Sequence, residues 1–76
     1  MLNETFQKEL ANLLGLEVSE IKPDFKLDND VLDSVAVMEL MALIDEQYGV
    51  KTSGDELDQC KSIQELMMLI DTKVAS

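Results

Sequence analysis

Asp33 and Ser34 are the residues whose type and position could carry chemistry. They open the run Asp33-Ser34-Val35-Ala36-Val37-Met38-Glu39-Leu40-Met41-Ala42-Leu43-Ile44-Asp45-Glu46-Gln47-Tyr48-Gly49. Either side chain can cap a helix, because its oxygen can accept a bond from the first free backbone N–H groups, and the carboxylate of Asp33 also suits the positive end of the helix dipole. A hydroxyl in that place is both a cap and a reactive handle. Taken alone, a serine at a helix start is a cap far more often than a modification site, so the surroundings must decide between them.

The rest of the chain offers little competing chemistry. It has no histidine and one cysteine, which removes the usual general base, the nucleophile–base pair and the His/Cys metal ligands. An autonomous enzyme is not expected. Cys60 reads as a small buried hydrophobe, since free cysteines are among the most buried residues and no activating histidine exists. A calcium-binding loop is the one metal motif to weigh, with Asp28, Asp30 and Glu39 at its first, third and twelfth positions. Its fifth and sixth positions would be Leu32 and Asp33, where an oxygen ligand and a turn glycine are required, so no metal site is expected.

The element that must position Ser34 is the helix it opens. Val37, Leu40, Met41, Ile44 and Tyr48 recur with helical period and form a core-facing stripe, and Gly49 supplies a left-handed stop. A second apolar set, Val35, Met38 and Ala42, lies on a face rotated away from the first. Glu39, Asp45 and Glu46 are interleaved with it. A helix packed on one side has no use for this second face, and its mixture of hydrophobes and carboxylates suits transient partners.

Around that helix the periodicity predicts three more. Leu2, Phe6, Leu10, Leu13 and Leu14 make a first core helix, with Asn3 as candidate cap and Gly15 as its end. From Leu16 to Asp33 the chain carries turn and loop residues, and a loop this long should be tied down or functional. Val18, Ile21, Phe25, Leu27 and Leu32 are its expected anchors, with a helical turn near Ser19–Ile21. Residues 55–60 form a short helix that turns Leu57 and Cys60 inward. Ser62-Ile63-Gln64-Glu65 has the form of a capping box and starts the last helix. There Ile63, Leu66, Met67, Ile70 and Val74 form the buried face, Met68 and Leu69 broaden it, and Asp71, Thr72 and Lys73 face water. The expected fold is all-α: a small four-helix bundle of three long helices and one short one, with a long first loop.

On Leu32-Asp33-Ser34-Val35 and the amphipathic helix that follows, the sequence closely resembles the carrier proteins, small acidic bundles that bear acyl or aminoacyl groups on a phosphopantetheine arm. The resemblance runs from about Asp33 to Ile70, with Val35 in place of the leucine of an Asp-Ser-Leu signature. It implies that Ser34 bears 4′-phosphopantetheine as a phosphoprotein, delivered from coenzyme A by a phosphopantetheinyl transferase that recognises Asp33 beside it. It also implies that the arm's thiol holds the cargo as a thioester, so the nucleophile is the cofactor's sulfur and not a side chain. Val35, Met38, Glu39, Ala42, Asp45 and Glu46 would then dock on loading ligases, synthases and other enzymes with basic patches.

Three departures from the fatty-acid carriers bear on pathway. Ala36 stands where those carriers usually have an acid, Asp30 where a glycine commonly precedes the motif, and Ala42 where a bulkier hydrophobe is usual. They favour a dedicated freestanding carrier of a specialised fatty-acid, polyketide or other secondary-metabolite pathway. The alternatives are a D-alanyl or other aminoacyl carrier and, from a different class, a noncovalent acidic adaptor whose Ser34 is only a cap.

Sixteen acidic against six basic residues give a net charge of −10 in 76 residues. That charge opposes nucleic acid and anionic membranes and favours basic protein partners. The length allows one domain, residues 1–76, which buries only about 60–65% of its unfolded surface and leaves little room for an enclosed catalytic pocket. No apolar run approaches a membrane span. The first residues lack the pattern of a signal peptide, so a cytoplasmic location and a monomer are expected.

Overall fold

A computed structural model describes residues 4–75. Four α-helices follow in order: α1 Glu4–Leu14, α2 Ser34–Tyr48, α3 Gly54–Asp58 and α4 Ile63–Ala75. A single 3-10 turn, Val18–Glu20, interrupts the first loop. This is the expected small bundle of three long helices and one short one. Leu2 and Asn3, expected in the first helix, lie outside the described residues.

The core is built from one stripe of each helix. Phe6 and Leu10 of α1, Leu40 and Ile44 of α2, Leu57 of α3 and Ile63 and Leu66 of α4 are all 0% exposed. Phe6 also meets Tyr48 edge-on, with ring centroids 5.2 Å apart, and so joins the start of α1 to the end of α2. Such a contact adds roughly 0.5–1.5 kcal/mol beyond its buried area. Val37, Leu40 and Ile44 of the expected α2 stripe are buried, Met41 and Tyr48 are partly so, and Ala36 and Leu43 join them. Gly15 and Gly49, at φ 71° and 69°, end α1 and α2 in the left-handed conformation expected of them. At the second, the Gly49 N–H closes on the Asp45 carbonyl at 2.8 Å.

The long loop is held as its length demanded. Ile21, Leu27 and Leu32 are buried and Phe25 is partly so. The loop is also stitched to the start of α4. The first-turn N–H groups of Ile63 and Gln64 donate to the carbonyls of Phe25 and Pro23 at 3.0 and 2.9 Å, and the Leu27 N–H donates to Lys61 at 2.9 Å. Helix N-terminal N–H groups have no partner within their own helix, so the loop supplies what α4 lacks.

Four side chains differ from expectation. Val18 is 43% exposed, because the one-turn 3-10 helix leaves the anchoring to Ile21 at its end. Met68 is 61% exposed: it lies on the opposite side of α4 from Leu66 and does not broaden the stripe. Val74, on the stripe but one turn past Ile70, is 53% exposed. Lys73, expected in water, is half-buried and pairs with Glu56 of α3 at 2.7 Å.

Capping differs as well. Ser62 accepts the Glu65 N–H at 3.3 Å, but the Glu65 carboxylate reaches back to the N–H of Lys61 instead of closing the box on Ser62. A complete box sits at α3, where the Ser53 hydroxyl accepts from Glu56 N–H and the Glu56 carboxylate from Ser53 N–H, at 3.1 and 2.9 Å. Among the described residues no helix is long and apolar enough to cross a membrane.

Candidate functional site

The chain arrives at Ser34 through a series of short-range locks. Asp28 Oδ1 accepts the N–H groups of Asp30 and Val31 at 3.0 and 3.1 Å, and the Asp28 carbonyl accepts that of Leu32 at 2.8 Å. A side-chain turn of this kind fixes a loop without regular structure. Leu32 then anchors in the core. Asp33 follows in extended conformation, its Oδ1 accepting the Ala36 N–H and its carbonyl the Val37 N–H, both at 2.8 Å. Sequence alone left Asp33 and Ser34 as alternative caps, and the geometry gives the role to Asp33. Ser34 is the first helical residue, exposed, with capping done by its neighbour.

That division has chemical consequences. The N–H groups of Ser34 and Val35 precede the first rung of the helical ladder and point to the positive end of the dipole, where an anion on the Ser34 oxygen would be stabilised. Beside the hydroxyl opens a depression of about 390 Å³ lined by Asn29, Leu32, Asp33, Ser34, Val37 and Asp58. It shares Asn29, Leu32 and Asp58 with a second hollow of about 400 Å³, whose lining adds Lys26, Leu27, Cys60 and Lys61 among others. Asn29 and Asp58 were not singled out in the sequence. Asp58 reaches the site only because α3 folds back on the loop, and no local spacing announces that.

Cys60 is 6% exposed, and its Sγ donates to the Glu56 carbonyl at 3.5 Å. Burial pushes its thiol up, and the nearby Glu65 and Glu56 carboxylates push it further. Both effects disfavour the thiolate that any nucleophilic role needs.

The expected docking residues share one exposed face. Val35 and Met38 are 62% and 70% exposed, and Glu39, Ala42 and Glu46 line the same side of α2. Asp45 is less free than the others, because its Oδ2 holds Lys51 Nζ at 2.6 Å.

Residues 4–70 match the family described as the phosphopantetheine attachment site. The chain belongs to the acyl carrier protein family. It is 36% identical over 73 residues to the acyl carrier protein MbtL of Mycobacterium tuberculosis, which covers 95% of this chain and 87% of the relative. The MbtL of Mycolicibacterium paratuberculosis is 40% identical over 62 residues, covering 80% and 70% of the two chains. An acyl carrier protein of Solidesulfovibrio magneticus is 28% identical over 71 residues, covering 92% and 91%. No solved structure matches. As an acyl carrier protein the chain is a carrier and not a catalyst, its cofactor is covalent 4′-phosphopantetheine, and it works with phosphopantetheinyl transferases and pathway enzymes. The residues around α2 fit that group: an exposed hydroxyl to esterify, first-turn N–H groups for a phosphate, and a partly apolar hollow beside them.

Proposed function

We propose that Ser34 bears the phosphopantetheine, that Asp33 beside it is read by the transferase, and that residues 1–76 act as one carrier domain of a specialised pathway. The observation that carries this reading is the division of labour at the start of α2. Asp33 closes the cap, which leaves an exposed hydroxyl at the first helical position, beside first-turn N–H groups and above a hollow. When bound, the arm supplies a flexible thiol that holds an acyl group as a thioester. This chain's own residues do the rest: Ser34 provides the oxygen, the first-turn N–H groups stabilise the phosphodiester charge, and Leu32 and Val37 give the arm apolar surface on which to lie.

Val35, Met38 and Ala42 fill apolar depressions on successive enzymes, while Glu39, Asp45 and Glu46 meet their lysines and arginines. Charge sets speed and orientation, and the small apolar contact allows release. The residues at Ala36, Asp30 and Ala42, where this chain departs from the fatty-acid carriers, support a specialised pathway over general fatty-acid synthesis. A cytoplasmic monomer fits the acidic surface and the single unpaired cysteine.

Incubation with coenzyme A, magnesium and a broad-specificity phosphopantetheinyl transferase, followed by intact mass measurement, tests the reading. The wild-type chain should gain one phosphopantetheine. A chain that gains none with several transferases overturns it.

A further inference from the structure

In a chain with sixteen carboxylates and six lysines, a lysine without an acidic partner stands out. Lys8, Lys51 and Lys73 each pair with a carboxylate. Among the described residues Lys22, Lys26 and Lys61 pair with none. Two of those three, Lys26 and Lys61, line the hollow of about 400 Å³ that adjoins the depression beside Ser34. Lys26 comes from the first loop and Lys61 from the turn between α3 and α4. The bridge between Lys26 and Ser62 and the bond from the Leu27 N–H to the Lys61 carbonyl tie these segments together, so the two lysines start from neighbouring backbone. The Lys61 ammonium donates to the Asp58 carbonyl at 3.1 Å, which leaves it two further donors. Leu27, Leu32 and Cys60, all buried, are the apolar lining. Two carboxylates share the hollow and have other roles: an Asp28 oxygen holds the N–H groups of Asp30 and Val31, and Asp58 belongs also to the depression at Ser34.

We propose that this hollow receives the far end of the arm's cargo and that the cargo ends in a carboxylate, held by Lys26 and Lys61. The ligand class is an ω-carboxyacyl group, the half-thioester of a dicarboxylic acid. The inference rests on Ser34 as the attachment point and names the cargo class of that same site. Continuity argues for the arm, because Asn29, Leu32 and Asp58 line both the depression and the hollow. Asn29 and Asp58 offer hydrogen-bond partners to the amides and hydroxyl of the arm, and Leu32 offers apolar surface between them. Charge complementarity argues for the carboxylate, which two unpaired ammonium groups can bind through charge-assisted hydrogen bonds. Both lysines are exposed, so the pairing buries no charge and its effect is modest.

The test compares chains loaded, by a broad-specificity transferase with magnesium, from adipoyl-coenzyme A and from its methyl ester, which has nearly the same length and no charge. Hydroxylamine, uncharged at neutral pH, converts each thioester to a hydroxamate and frees the thiol. Intact mass follows the loss, and each rate is taken relative to that of the free coenzyme A thioester. The adipoyl chain should be cleaved about threefold more slowly than the ester at low salt, with the difference shrinking as salt rises. Lys26→Gln and Lys61→Gln should each reduce the difference, and the double variant should abolish it. Lys22→Gln removes the same charge outside the hollow and should leave it unchanged. Backbone amide shifts that distinguish the two loaded chains should gather at residues 26–29 and 58–61.

Equal relative rates, a difference that survives the double variant or is lost in Lys22→Gln, or shifts that gather on α1 or α4 would each overturn the proposal. Loading from coenzyme A itself, run in parallel, keeps the two readings apart. A wild-type chain that takes no phosphopantetheine strikes at Ser34, whereas loaded chains with equal rates strike only at the hollow.

Discussion

Two adjacent residues divide two jobs that either could do by type. Because Asp33 holds the Ala36 N–H, its replacement by alanine should cost about 0.5–2 kcal/mol of stability. Ser34→Ala should change stability by no more than about 0.5 kcal/mol, as a surface substitution away from the cap. Urea unfolding of the two variants checks this, and a larger loss for Ser34→Ala than for Asp33→Ala would show that the hydroxyl is the cap. The position of Ser34 was legible in the sequence because helix starts, periodicity and family resemblance agree there. Which residue caps was not legible, since aspartate and serine are equally good caps and the choice turns on a one-residue shift in the helix boundary. The burial of Cys60 was legible from residue type. With its thiol pushed up by burial and by Glu65 and Glu56, alkylation at pH about 8 should be much slower in the native chain than in urea. Equal rates would mean that Cys60 is accessible.

At the scale of elements, α3 is short and depends on its neighbours. Its box at Ser53 and its ion pair from Glu56 to Lys73 of α4 fix it at both the cap and the face. The hydrogen bond from Lys73, then that from the Ser53 N–H, holds the Glu56 carboxyl below the usual range. A lowered native value means a contribution to stability that is present above the unfolded value of about 4.3 and is lost as pH falls through the native one. Wild type should therefore exceed Glu56→Gln in urea midpoint at neutral pH, with the gap closing as the solution is acidified below about pH 4. A gap independent of pH would leave Glu56 no electrostatic role. The helices themselves were legible from period and glycine stops. The pairing of loop carbonyls with the first turn of α4 was not, because those bonds join backbone groups that carry no residue signature. Lys73 misled for a related reason: its periodicity places it beside the stripe, and only the position of α3 decides that a carboxylate waits there.

At the scale of the whole molecule, the charge is strongly one-sided. A net −10 on so small a body, with Asp28, Asp30, Asp33, Glu39 and Glu46 around one end and face, stores self-repulsion that counter-ions relieve. The ion pairs Lys8–Glu4 and Lys51–Asp45 are on the surface and weak, so screening them loses little. The melting temperature should rise from low to moderate salt, and a flat or falling value by calorimetry would show that repulsion is not what limits the fold. The same acidity would give the proposed docking face its reach toward basic enzymes.

One serine, freed from capping by its neighbour, is proposed to carry the arm, and every functional statement about this molecule depends on it. Peptide mapping by tandem mass spectrometry after transferase loading reaches that point most directly, because it locates the added group among the serines of the chain. All of the phosphopantetheine should lie on Ser34, and Ser34→Ala should gain none. Phosphopantetheine on Ser19, Ser53 or Ser62, or retained by Ser34→Ala, would contradict it.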